Sequence, residues 1–343
     1  MKYQTMDNIE SAYKKLLEPS EELIADIIKI EGDILILGVG GKMGPALAKL
    51  AKQAIDKAGI TKKVIGVSRF SEPGIQDGLN REGIETISAD LLDDNQLQEL
   101  PEVKNVLYLA GTKFGTVGKE SFTWAMNAYL PGRVAEKYKN SNLVVFSTGN
   151  VYHLTPVTLG GAAEDRIPRP VGEYAQSCLA RERIFQYSSS KYNTPILIYR
   201  LNYANDISYG VLLEIAKAVK EKRPVDLSMG NVNVIWQGDA NEIAIRALHY
   251  CSVPSKILNV TGPETLSVRW LSEEFGNMFG QTPEFINIEQ PDALLSNAAE
   301  SFRLFGYPKT SLKQIMELLA EWINEGGKTL NKPTHFQQRE GQF

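Results

Sequence analysis

Short apolar runs separated by stretches of helical period set the character of this chain. Ile34–Leu37, Val64–Val67, Glu85–Ser88, Asn105–Leu109, Leu143–Phe146 and Pro195–Tyr199 read as strands, the first an apolar block buried on both faces. Between them, apolar residues recur at helical spacing over 45–58, 93–99, 119–139 and 173–189. Such alternation builds a parallel sheet, because parallel neighbours need a crossover and a helix supplies one that also covers the sheet. A later strand, Ile257–Val260, is expected in the same sheet. After Arg200 the pattern changes to a helix at 209–222, a short strand Val225–Ser228 and a helix at 239–251 that returns to the sheet. Short helices broken by Gly and Pro follow over 265–325. The expectation is an α/β fold with a doubly wound parallel sheet at 31–200 (231–262 returning to it) and a smaller lobe at 201–230 and 263–325.

The two ends differ from this body. Residues 1–30 form an amphipathic helical extension, with Ile9, Tyr13, Leu16 and Leu17 on one face and then Leu23, Ile27 and Ile28. Pro19-Ser20 breaks it, and Ser20 is placed to cap the second helix. Packing or an oligomer contact is its expected role. Residues 326–343 are polar and aperiodic, the pattern of an extended arm or frayed end.

The first strand leads into the stretch that organises the rest, DILILGVGGKMGPALAKLAKQAI. Gly38, Gly41 and Gly44 follow at three-residue spacing, and Leu47, Leu50, Ala51 and Ile55 then take up helical period. Strand, glycine turn and helix in this order suit a dinucleotide: glycine permits the tight turn, the close approach of a pyrophosphate and tight helix–strand packing. The amides near Lys42 and Met43 would face the anion with the helix dipole behind them, and Pro45 in the first turn forfeits only an N–H that has no helical partner. The fold is thereby read as Rossmann-type.

Composition narrows the function classes. The chain has 343 residues, 43% hydrophobic and 23% charged, within the ordinary range of a soluble globular protein. A net charge of −4 without a basic block announces no nucleic-acid surface, and no apolar run reaches membrane-spanning length. The acids and bases interspersed in the first thirty residues are unlike a signal peptide, and the two cysteines, Cys178 and Cys251, form no CxxC pair. A cytoplasmic protein without a disulfide framework is expected. The three histidines, His153, His249 and His335, are scattered, so no metal is expected.

Further motifs fall in order: Asp90-Leu91, Ala110-Gly111, Asn127, Phe146-Ser147-Thr148 leading to Val151-Tyr152, Tyr174, Arg200 and Asp239. With the glycine turn, they make residues 33–325 resemble the extended short-chain dehydrogenase/reductases, the NAD-dependent epimerase/dehydratase family. The resemblance implies a Rossmann sheet with a small C-terminal substrate lobe. It also implies that Asp90 and Leu91 lie beside the adenine, that Ala110, Gly111 and Thr112 line the path toward the nicotinamide ribose, and that Asn127 holds the active-site backbone. Where an acidic residue would bind the ribose of NAD, this chain has Ser68-Arg69, and Arg69 suits a 2′-phosphate, with Lys42 near enough to add charge. NADP is the expected cofactor, with NAD as the alternative.

The family's chemistry uses a Ser or Thr, a Tyr, and a Lys four residues after the Tyr. The Tyr moves the proton of a substrate hydroxyl while the nicotinamide takes or gives a hydride; the Lys lowers the Tyr pKa and holds the ribose. Thr148 and Tyr174 match the first two positions, and Tyr174 also belongs to the cofactor-facing set. Cys178 stands at the third, a departure that removes the cation. Arg181 shares the helix face two turns from Tyr174 and offers partial compensation, whereas Cys178 itself reads as a small apolar filler. His153 in its loop is either a surface residue or a second acid–base candidate, and Trp236-Gln237 reads as packing, with a cleft wall as the alternative. The resemblance thus implies a reductase, epimerase or dehydratase acting on a sugar or similar hydroxylated molecule, with a homodimer left open. The competing expectation is a dinucleotide-binding sensor or structural protein with little redox activity. If Tyr174 acts without a nearby cation, the rate should climb steeply with pH, and Cys178→Lys should move the profile toward neutrality.

Overall fold

The computed structural model describes residues 5–113, 118–331 and 334–341. Seven parallel strands form the central sheet: β1 Ile34–Leu37, β2 Val64–Ser68, β3 Glu85–Ser88, β4 Asn105–Tyr108, β5 Asn142–Thr148, β6 Ile196–Leu201 and β7 Lys256–Val260. Their order is β7-β6-β5-β4-β1-β2-β3, so the chain winds outward in both directions from β1 and β4. The cleft of such a sheet opens at the carboxyl ends of β1 and β4, where the winding reverses. β1 is registered against both neighbours, Leu37 opposite Val67 on one side and Tyr108 on the other. The later strand joins the sheet as expected, with Val260 opposite Leu201.

Helices cover both faces. On the N-terminal side come α1 Met6–Lys15, α2 Glu21–Lys29, α3 Gly44–Lys57, α4 Ile75–Arg81 and α5 Asp94–Glu99. α4 has no counterpart in the periodicity reading, because Gly78 sits in its middle and only Leu79 is buried. The predicted single helix at 119–139 is three pieces: α6 Glu120–Trp124, a π-helical turn Ala125–Tyr129 and α7 Leu130–Lys137. Pro131 explains the interruption: it has no N–H for the Asn127 carbonyl, and Leu130 N bonds one residue further back, to Ala125 O. The widened turn carries the buried side chain of Asn127. α8 Gly172–Tyr192 then crosses to β6.

The smaller lobe is built from α9 Val211–Lys220, α11 Val268–Phe279 and α13 Leu312–Asn324 around an apolar cluster of its own. α10 Gln237–Arg246 returns to the sheet through Ala240, Ile243 and Ala244, and α12 Ala299–Phe305 leans on the sheet's own apolar core through Leu304 and Phe305. The N-terminal extension packs on both bodies. α1 buries Ile9 in the lobe, α2 buries Leu23 and Ile27 against the sheet, and the Ser20 hydroxyl caps α2 by accepting from Leu23 N at 3.0 Å. The described residues of the tail form a packed arm: Phe336 is buried in the lobe, Thr334 binds Glu214, and Arg339 donates to the carbonyls of Ser228 and Asp292, both at 3.0 Å. A polar arm reads as loose in sequence because its one apolar anchor has no periodic neighbours.

Candidate active site

The glycine turn leaves β1 at Gly38, whose φ of +91° and whose missing Cβ both matter: a methyl group there would stand 2.7 Å from Ala110 N, in the backbone following β4. A Cβ on Gly44 would strike the Val39 carbonyl, so α3 begins tight against the turn. Gly41 differs. A Cβ there would meet only Gly38 O, at 3.4 Å, leaving its outer side bare among the described residues. No side chain caps α3, where Met43 takes the N-cap position and Pro45 the first turn. Bare amides at an uncapped helix start, beside a glycine open to the cleft, are the donors a pyrophosphate requires, so the residues present fit a dinucleotide.

At the end of β2, the Ser68 hydroxyl packs against Gly40 and accepts from Phe70 N at 3.3 Å, and the Arg69 side chain is exposed. Asp90 is half-buried and accepts from Leu92 N at 3.0 Å, while Leu91 is buried. Ala110 is buried, Gly111 exposed and Thr112 half-buried along the path leaving β4. Asn127 pins that path. Its Oδ1 accepts from Thr112 N at 3.0 Å and its Nδ2 donates to Thr112 O at 2.8 Å. Lys42 extends over the Tyr209 ring in the lobe, 5.3 Å from its centroid, and its charge reaches Lys113 and Glu214.

Thr148 ends β5 and Tyr174 lies in the first turn of α8. The Thr148 hydroxyl accepts from Asn150 N at 3.1 Å and Asn150 Nδ2 at 2.9 Å, which leaves its own proton for Tyr174, within hydrogen-bonding reach. The phenol also reaches the Cys178 thiol. Burial pushes the Tyr174 pKa well above its usual value, the neighbouring thiol adds to the rise, and Arg181 and Thr148 oppose it. Burial likewise raises Cys178, so this thiol is a neutral occupant of the helix face. Cys178 and Cys251 are both free.

The two arginines of α8 have other partners. Arg181 donates to Phe146 O at 2.8 Å and Asn127 Oδ1 at 2.7 Å, filling the space under Gly111 that a Cβ would claim. Arg183 turns outward to Gln186. One turn after Cys178, Glu182 forms a buried pair with Arg200 and accepts from the Ser147 hydroxyl at 2.5 Å, bracing the residue before Thr148.

The residue that sequence reasoning passed over is Lys113, immediately after Thr112. Its ammonium lies 5.6 Å from the centroid of the Tyr174 ring. Desolvation lowers its pKa to about 8, helped by Lys42 and opposed by Cys178 and Glu214; the side chain is half-buried, but its charged end is enclosed by protein. A lysine at the end of the small-residue run after β4 was the available signal. Because Lys113 feels Lys42 and lies over Tyr174, the glycine turn and the tyrosine face one space. A cavity of about 530 Å³ lies in the lobe, lined by Glu214, Arg223, Asp226, His335, Phe336 and Tyr209, the ring over which Lys42 extends.

The other candidates sit elsewhere. His153 is exposed, with Nδ1 3.1 Å from Leu154 O. Trp236 is a packing residue rather than a cleft wall: it is fully buried, donates to Leu16 O at 3.1 Å and meets Tyr13 edge-on. Gln237 bonds Tyr209 and Asp206. Among the described residues no helix is long and apolar enough to cross a membrane, and no three His, Cys, Asp or Glu side chains gather as a metal site.

Solved structures with this fold include three nucleotide-sugar epimerases. UDP-glucuronic acid 4-epimerase from Bacillus cereus, in complex with UDP-glucuronic acid and NAD, superposes with a TM-score of 0.68 at 19% identity, covering 85% of this chain and 99% of that one. UDP-glucose 4-epimerase from Thermotoga maritima, with UDP-glucose, gives 0.71 at 17% identity over 86% and 99%. The Thermus thermophilus UDP-glucose 4-epimerase complex with NAD gives 0.69 at 20% identity over 85% and 99%. No curated protein matches the chain. The profile of the NAD dependent epimerase/dehydratase family matches residues 34–228, more than half of the sequence. That span runs from β1 through the glycine turn, Thr148 and Tyr174 into the lobe, and the chain belongs to the NAD dependent epimerase/dehydratase family.

Proposed function

We propose that this protein oxidises and reduces a hydroxyl-bearing carbon of a sugar nucleotide, in an epimerisation, dehydration or reduction, with Tyr174 as the acid–base group and Thr148 as the orienting hydroxyl. The observation that carries the reading is the Tyr174 phenol held by Thr148 in the same space that the glycine turn faces. A bound nicotinamide supplies the hydride acceptor or donor. Tyr174 takes the proton of the substrate hydroxyl as that carbon loses its hydride, and returns a proton when the carbonyl is reduced. Thr148 donates to the same oxygen and keeps it beside the phenol. Asn127 holds the backbone of Thr112, and Arg181 supports Asn127, so the wall of the site stays rigid.

NADP(H) is preferred over NAD(H) in this reading. β2 ends in Ser68-Arg69 rather than in a carboxylate, the Ser68 hydroxyl is turned to Phe70 N, and the Arg69 guanidinium is exposed for a 2′-phosphate. Two of the epimerase structures contain NAD, which is a property of those proteins; cofactor choice here turns on Arg69. The substrate class is supported by the lobe cavity that includes Tyr209, the ring under Lys42; its volume suits a nucleotide and its lining is mixed in charge. The test is incubation with NADP⁺ or NADPH and a panel of UDP-hexoses and UDP-hexuronic acids, followed by proton NMR of the sugar. Appearance of an epimer, a dehydrated product or a reduced sugar that depends on Tyr174 bears the reading out. Tight NADPH binding without turnover of any member would favour the sensor alternative.

A further inference from the structure

The helix that carries Tyr174 lacks a cation one turn on, where Cys178 stands as a neutral thiol. Of the two arginines of α8, only Arg181 acts on the phenol through its charge, and it does so from two turns on with its donors already taken. Arg181 is committed to Phe146 O and Asn127, and Arg183 points away to Gln186. A cation nevertheless arrives from another element: the Lys113 ammonium lies over the face of the Tyr174 ring, 5.6 Å from its centroid, and its charge is felt by the Cys178 thiol. The ammonium thus stands over the ring whose phenol reaches the thiol, although only Tyr174 and Cys178 share a helix.

We propose that Lys113, delivered by the loop after β4, adds to Arg181 the second positive charge that position 178 no longer supplies and so stabilises the phenolate on which proton transfer depends. The proposal rests on the reading of Tyr174 as the acid–base group. An ammonium over an aromatic face is attracted to the neutral ring and far more strongly to the phenolate. Its position on a loop adds a second property. Lys42 and Lys113 repel each other across the cleft, and an anion at the glycine turn relieves that repulsion, so the charge over Tyr174 is held most firmly when the dinucleotide is bound. Cofactor binding then primes the tyrosine. It also follows that Cys178→Lys in the otherwise native chain adds a cation beside one already present and gains little.

The test uses the full chain with a fluorinated tyrosine placed at position 174, whose lower intrinsic pKa brings its titration into reach, followed by fluorine NMR with and without saturating NADPH. A unit charge about 6 Å away, at an effective dielectric of about 20, moves a titration by about two pH units, and residual solvent screening halves that. With NADPH bound, whose phosphates hold Lys113 protonated beyond its cofactor-free value of about 8, Lys113→Met should therefore raise the fluorotyrosine midpoint by about one to two pH units. Lys113→Arg should leave it nearly unchanged, and NADPH should lower it in the native chain but much less in Lys113→Met. Cys178→Lys placed in the Lys113→Met background should bring it back down. An unchanged midpoint in the folded, NADPH-bound Lys113→Met protein overturns the proposal. Turnover decides the underlying reading separately: failure of the native enzyme on every sugar nucleotide would count against the reaction, while the fluorine midpoint would still decide whether Lys113 charges the site.

Discussion

Glu182 and Arg200 offer the sharpest energetic test of the site's support. Their side chains are 0% and 1% exposed, and the guanidinium meets the carboxylate twice, Nε to Oε1 at 2.9 Å and Nη2 to Oε2 at 2.6 Å. Around the pair, Ser147 donates to Glu182, and Arg200 donates to the Tyr152 hydroxyl at 2.6 Å, which in turn donates to Asn259 at 2.9 Å. At an effective dielectric of about 20, charges about 2.8 Å apart attract by about 6 kcal/mol, and desolvation of several kcal/mol per ion cancels most of it. The pair is therefore worth little net, yet breaking it is costly. Arg200→Met or Glu182→Leu alone should destabilise by about 3–5 kcal/mol, because the surviving charge is left buried without its partner. The double variant should cost only about 1–2 kcal/mol, mainly from the Ser147 hydroxyl losing its acceptor. Equilibrium urea unfolding, followed by two spectroscopic probes with coincident transitions and an unchanged slope, gives the four stabilities needed. If the double variant loses the sum of the two single losses, there is no coupling and the argument fails.

Other outcomes follow from the same structure. NADPH should bind roughly tenfold or more tightly than NADH, a charge-assisted contact being worth about 1.5–3 kcal/mol, and Arg69→Ala should erase most of the difference; equal affinities in the native protein would remove the basis for an NADP preference. Tyr174→Phe should abolish turnover while NADPH binding persists by fluorescence titration, and full activity in that variant would strip Tyr174 of its role. In the protein without cofactor, Lys113 titrates near 8 against about 10.4 unfolded, so the unfolded chain binds more protons between those values and stability rises with pH across that window. Lys113→Met should accordingly stabilise the cofactor-free protein by about 1–3 kcal/mol at pH 7, allowing for partial screening, and flatten its pH dependence; a loss of stability would show that the ammonium is not under strain. Phe336→Ala should cost about 3–5 kcal/mol by calorimetry or denaturant and release the tail to proteolysis, whereas a neutral result would mean the arm does not depend on that anchor.

Much of this protein was legible in the order of its residues. Each sheet strand is a short block whose composition fits burial, and the glycine turn has a local cause: Gly38 must adopt a positive φ, and Gly44 must lie against Val39. Ser20 as a cap, the return of β7 to the sheet and the family itself follow from signals within a few neighbouring residues. Other features depend on contacts that no local pattern records. The resemblance marks Asn127, but how it is presented is decided by folding: Pro131 widens the turn and Thr112 arrives from the loop after β4 to pair with it. Cys178 reads as a lost cation because the helix is judged alone; folding brings Lys113 from a sequence distance of sixty-one residues to the ring that Cys178 no longer serves. The tail reads as loose because its apolar anchor is single, yet the lobe encloses Phe336. Backbone geometry is dictated by neighbours along the chain, whereas the charge at a buried site is the sum over everything the fold packs around it, and only the tertiary structure performs that sum.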